Sequence, residues 1–343
     1  KVAPGLSRDC EGWLRSRASY GLELLGRLDE AKEQRRRAVD AWREVNNVWA
    51  CADGTEKLAL MRARTEDLDS AQQTADTAVE YARAAVTAAQ ANAEDLDTPL
   101  DTSIHALTVK GAILHRLGRF DDAGRCLADA EREETRRREK DGSAVGATFL
   151  HSEPGARCFL FLLDRGCEWQ ELEQRIRSMD RWEQEQTASG KRQPGYLVRA
   201  LHRLSKGRYH VFRGERFWTY AESEFDEAIS LVKQARNRAY QCQPLLARAD
   251  LRRRAQSYDE ALADLDEVER ISGPMVVYQA QALLMRASIY LDLAFGRQTP
   301  WKGEQVGEWA AENITRCRRL IGQTHYWLRK PDLELLEVRR DRW

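Results

Sequence analysis

The sequence predicts an all-α array of stacked helical hairpins. Three observations carry that expectation. Ala, Leu, Arg and Glu dominate while β-branched residues are sparse. Apolar residues recur at the i, i+3, i+4, i+7 spacing of one helix face. A layout of helix, short turn and helix returns along the chain, and self-similarity of that kind marks a repeat architecture. Length agrees: at 343 residues the chain exceeds the ~250–300 at which a single core stops growing, which favours two domains or a repeat array.

The first pair is read over 12–45, with Leu22, Leu25 and Gly26 before the turn and Leu28, Ala31, Ala38 and Trp42 after it. A weaker copy spans 52–85, where Ala71, Ala75, Ala78 and Ala82 form a stripe of small residues. The third, 104–137, is the clearest. Leu107, Gly111 and Leu114 share one face, the helix stops at Leu117-Gly118, and Ala123, Cys126, Leu127 and Ala130 begin the next stripe. Gly118 suits a left-handed helix stop. Further pairs follow at 152–185 (Phe159, Leu162, Gly166) and 200–236 (Gly207, Gly214, Ala221, Phe225, Ala228). Two more occupy 242–275 (Leu245, Leu246, Ala249, Ala261, Leu265) and 276–323 (Ala280, Leu283, Ala287, Leu291). Residues 331–340 read as a short capping helix opened by Pro331. Three Gly-bearing stretches, 139–157, 186–196 and 295–307, read as insertions between helices.

Gly118-Arg119-Phe120-Asp121-Asp122-Ala123 and Ser257-Tyr258-Asp259-Glu260-Ala261 resemble the turn of the tetratricopeptide repeat, which joins a small residue in helix A to an aromatic or Leu and an Ala in helix B. The resemblance implies an α-solenoid, a right-handed superhelix of about seven helix pairs with a C-terminal cap, forming one array over 1–343. The turns at Gly118, Gly166, Gly214 and Ser257 lie 48, 48 and 43 residues apart, longer than the family's usual ~34, so the helices are longer or the loops carry insertions. The closing stretch, 325–337, resembles the tail of tetratricopeptide arrays in multidomain bacterial STAND or NACHT-type proteins. That likeness implies a C-terminal sensor with a nucleotide-switch domain upstream in the same polypeptide, in a signalling or antiviral defence role. The chain begins at Lys1 rather than Met, so a domain cut from something longer is expected.

Carrying the family's register onto this sequence, the concave face falls at Tyr20, His105, His115, Arg116, Arg157, Arg208, Phe212, Asp250, Arg253 and Arg254. As a set these imply a cationic groove for carboxylates or phosphates, and hence a protein or peptide partner of acidic character. Formal net charge is zero, which argues against a general polyanion binder but not against a local patch. Residues 191–216 are such a patch, with eight basic residues against the single Glu215, and 51–103 is acidic. The patch reads as a solvated face, as a grip on an acidic protein, or as a nucleic-acid-binding surface, the last being the alternative function.

No catalytic chemistry is expected. No phosphate-cradling Gly-rich motif and no G-x-S-x-G elbow occurs. His151-Ser152-Glu153 has the H-x-E spacing of zinc deaminases but lacks the paired cysteines, so it reads as loop. Cys158 beside Phe159, Leu160 and Phe161 reads as a buried thiol rather than a nucleophile. The seven cysteines contain no C-x-x-C pair and read as reduced thiols of a cytoplasmic protein. Neither a metal nor a cofactor is expected. No run of about 18 apolar residues exists, so no membrane contact is expected.

Overall fold

A computed structural model describes residues 5–92, 95–140, 149–188, 194–295 and 303–341. Among the described residues every regular element is helical, and fifteen α-helices pack neighbour to neighbour as in an α-solenoid. They are α1 (Arg8–Leu24), α2 (Leu28–Glu44), α3 (Val48–Thr65), α4 (Leu68–Ala91), α5 (Asp97–Arg116), α6 (Phe120–Lys140), α7 (Ser152–Arg165) and α8 (Trp169–Ala188). Then come α9 (Tyr196–Phe212), α10 (Trp218–Gln234), α11 (Arg238–Arg254), α12 (Tyr258–Ser272), α13 (Val276–Phe295), α14 (Gly303–Thr324) and α15 (Lys330–Asp341). A 3₁₀ turn, Trp327–Arg329, leads into α15.

Local chemistry sets the ends. The Ser7, Asn47 and Asp67 side chains accept from the backbone N–H groups of Cys10, Ala50 and Ser70, capping α1, α3 and α4. Gly118 closes the α5–α6 turn with φ +73°, a conformation that costs glycine nothing and other residues a steric penalty. Pro99 sits in the first turn of α5, where its missing N–H has no helical partner to lose, so that helix starts earlier than the apolar pattern alone indicated. The 139–157 stretch is helical at both ends: α6 runs to Lys140, and Ser152-Glu153-Pro154 forms the first turn of α7 rather than loop. Pro154 there is again in the first helical turn. Residues 141–148, 189–193 and 296–302, with Trp301, lie outside the described residues.

Hairpin packing buries most of the predicted stripes, while Leu22 is half-buried and Leu25, at the end of α1, is exposed. Ala71, Ala75, Ala78 and Ala82 of α4 are fully buried, as are Ala31, Ala38 and Trp42 of α2. Five of the cysteines are buried among such residues and all seven are free thiols. The odd-numbered helices from α3 to α15 also touch one another in succession, which lines them along an inner wall. That wall closes on itself. α1 lies against α11, α3 against α13, and α5 against the Trp327–Arg329 turn. One apolar cluster spans the seam, joining Ala59 and Ala63 of α3 and Ile113 of α5 to Val277, Ala287 and Leu291 of α13 and to Leu336 of α15. Among the described residues no helix is long and apolar enough to cross a membrane.

Candidate functional site: a cleft leading to a central chamber

Closure of the inner wall makes the interior of the array a chamber. Side chains from α3, α5, α7, α9, α11 and α13, with the Trp327–Arg329 turn, surround about 120 Å³ of free space. The chamber communicates with a wider cleft of about 500 Å³, whose walls are α7, α9, α11, α13 and α15. Leu160, Asp164, Arg208, Gln281 and Arg329 line both spaces and so form the throat between them. A cleft of that volume falls within the range of ligand-binding pockets.

The chamber is rich in guanidinium groups, most of them paired. Arg64 donates to Glu23 at 2.9 Å and lies 4.6 Å over the Tyr240 ring. Arg157 donates to Glu153 at 2.9 Å, and Tyr240 donates its hydroxyl to the same carboxylate at 3.0 Å. Burial pulls the Glu153 carboxyl upward, but Arg157, His105 and the Tyr240 hydroxyl outweigh it and hold the group below its ordinary value. Arg329 donates to Asp332 at 3.1 Å. His115 packs edge-on against Phe120 and Phe161, each 5.5 Å away, and its Nε2 lies 3.3 Å from Asp164. Gln281 donates to the Tyr326 hydroxyl, and Gln243 to that of Tyr278 at 3.0 Å.

Two guanidinium groups stand apart. Arg116 donates to the backbone carbonyl of Ala63 at 3.1 Å and pairs with no carboxylate among the described residues. Arg208 makes no hydrogen bond and no ion pair among the described residues. Burial pushes its guanidinium below the ordinary value, with Asp164 opposing that shift and Arg329 adding to it.

At the cleft the charges are networked. Arg253 bridges Asp292 at 2.9 Å and Asp250 at 3.4 Å, Arg254 reaches Asp250 at 2.9 Å, and Arg339 reaches Asp292 at 2.8 Å. The walls carry five arginines against three aspartates, so the cleft is cationic despite these pairs. Phe212 and Leu335 add half-exposed apolar surface at the rim.

The structure therefore gathers His115, Arg116, Arg157 and Arg208 around the chamber and Arg208, Phe212, Asp250, Arg253 and Arg254 around the cleft. Tyr20 and His105 line neither space: Tyr20 is half exposed on α1, and His105, on α5, is one of the groups that lower Glu153. Arg64, Tyr240, Asp164, Arg329 and Arg339 complete the walls and were not among the candidates. The open groove of the sequence reading is in this molecule a partly covered hollow that opens into a wider cleft, because α13 and the Trp327–Arg329 turn cover its far side.

The basic segment is dispersed rather than presented as one stripe. Arg199 pairs with Glu183, Arg203 with Glu224 and Glu227, and Lys206 with Asp180. Arg213 and Arg216 lie over the Phe217 ring at 4.0 and 4.8 Å. Lys191 and Arg192 lie outside the described residues. Cys158 is buried with its thiol pushed up to about 12 by desolvation, and His151 stacks on Trp182 instead of facing it. Among the described residues one grouping could offer three metal-ligand atoms, Asp67, Asp69 and His325, at the surface where α4 meets the turn after α14. Compared with known proteins, the sequence matches no family model and no curated protein.

Proposed function

We propose that this chain is a non-catalytic recognition module that takes an acidic segment of a protein or peptide partner into the cleft between α7, α9, α11, α13 and α15. The observation that carries the reading is the cleft itself, a cationic and partly apolar hollow on an otherwise neutral chain. Arginine suits this task because its planar fork meets carboxylates bidentately and is weakly hydrated. Phe212 and Leu335 supply the apolar contact that anchors such interfaces. The fold belongs, on this reading, to the tetratricopeptide type, with seven hairpins and α15 as the cap. The likeness of 325–337 to the tails of STAND-type arrays supports a role as the C-terminal sensor of a larger cytoplasmic bacterial signalling or antiviral defence protein, coupled to an upstream nucleotide switch.

Fluorescence anisotropy with a panel of acidic, neutral and basic peptides tests the reading. Acidic peptides are expected to bind, with affinity falling as salt rises. Arg254→Glu, which adds a negative charge beside Asp250, should weaken them by about tenfold or more, and Phe212→Ala should weaken them with little change in salt dependence. Equal binding by the parent and both variants would remove the cleft from the model of recognition. Basic peptides or oligonucleotides binding in preference to acidic peptides would sink the charge argument.

A further inference from the structure

The paired and unpaired charges of the chamber do not balance. Arg64, Arg157 and Arg329 each have a carboxylate partner. Arg116 and Arg208 have none within ion-pair distance among the described residues, and both line the same hollow. Both are only partly exposed, and a guanidinium fork with no carboxylate on it has donors left for an anion. Asp164 offsets part of the Arg208 charge without an ion pair to it, since its carboxylate lies against His115 and also offsets Arg329. The remaining walls offer polar groups, including Ser205 and Gln243, as well as apolar ones.

We propose that the chamber is a binding site for a phosphoryl dianion, held between Arg116 and Arg208 and reached through the throat from the cleft. Acceptor geometry decides the class. A phosphoryl group brings about −1.5 to −2 at neutral pH and three acceptor oxygens, enough to meet two guanidinium forks at once, whereas the two oxygens of a carboxylate are taken up by one. Size agrees: a hollow of about 120 Å³ has room for a tetrahedral oxyanion. The ligand is free phosphate or the phosphate end of a monoester whose body lies in the cleft. The site stands whether or not a protein docks at the mouth, since its residues Arg116 and Ser205 line the chamber alone.

Titration calorimetry on the full chain tests this with inorganic phosphate, glycerol 2-phosphate and acetate at matched ionic strength. Saturable binding of phosphate at one site per chain is expected, with acetate far weaker. Arg116→Met and Arg208→Met should each raise the dissociation constant about tenfold or more. Saturation by glycerol 2-phosphate as well identifies a monoester ligand, and saturation by phosphate alone identifies the free ion. Thermal unfolding supplies a second readout. Without anion, Arg208→Met should melt at a higher temperature than the parent, because a charge that burial disfavours has gone, and it should lose the phosphate-induced rise. Acetate binding as tightly as phosphate, no saturation by either phosphate, or undiminished phosphate binding in both variants overturns the proposal.

Discussion

His151 is held as a neutral ring. It precedes α7, stacks on Trp182 with centroids 5.7 Å apart, and is pushed down to about 3 by burial first and then by the charges of Arg138, His202 and Arg137. The positive end of α7 acts in the same direction. An unfolded chain binds that proton near pH 6.5, while the folded chain resists it until about pH 3, so the unfolded state gains protons first as pH falls. The stability this ring contributes is therefore complete above pH 6.5 and is lost progressively on acidification toward pH 3. Between pH 7 and pH 5 the loss attributable to this one group is up to about 2 kcal/mol. His151→Phe keeps the stack and removes the proton. Denaturant unfolding at several pH values should show a flatter profile for the variant across that window; parallel profiles would assign the acid sensitivity to other groups.

At the scale of elements, small residues set how closely hairpin partners approach. A Cβ added at Gly207 of α9 would lie 2.3 Å from the Phe225 ring of α10, and both positions are buried. Gly207→Ala must therefore push α10 outward or turn Phe225 out of its rotamer, a change that typically costs about 1–3 kcal/mol. The helix-propensity gain of alanine, about 1 kcal/mol, works against that and is the smaller effect. A denaturation midpoint above that of the parent would mean that Phe225 relocates freely. This contact also shows what the sequence discloses at this scale. The period of apolar residues displays each helix and its buried stripe, because those depend on neighbours three and four positions away. Gly207 facing Phe225 is of the same kind, one hairpin apart. The helical start of α7 was hidden because Ser152, Glu153 and Pro154 carry turn chemistry that serves equally well as a first helical turn. The cleft residues Phe212, Arg253 and Arg254 were visible as polar or aromatic positions off the stacking stripe. Arg329, Arg339 and Tyr240 carried no such signal, since what brings them to the site is the meeting of distant helices.

Closure is the property of the whole molecule. An open array of hairpins contacts only its neighbours, so it frays from its ends and its stability sums over units. Here α3 rests on α13, and His325 meets Asp69 across 256 residues of sequence. Contacts at such separations leave no local pattern in the chain, which is why the chamber could not be read from the sequence. They also change how the molecule should unfold. The seam cluster, with Ala59, Ala63, Val277, Ala287 and Leu291 each fully buried, ties the second hairpin to the seventh and α15. Ala59→Glu introduces a charge at a position with 0% exposure. Its desolvation should cost about 3 kcal/mol or more or force the seam apart. If the ring of helices is held shut by this cluster, small-angle scattering should show a larger radius of gyration for the variant while far-ultraviolet circular dichroism stays close to that of the parent. Hydrogen exchange should then accelerate in α3 and in α13 together, although they are far apart in sequence, because each loses the other as a wall. Acceleration confined to α3 and α4, with an unchanged radius, would instead show the hairpins to be independent units, and the chamber would have to be an incidental gap between them.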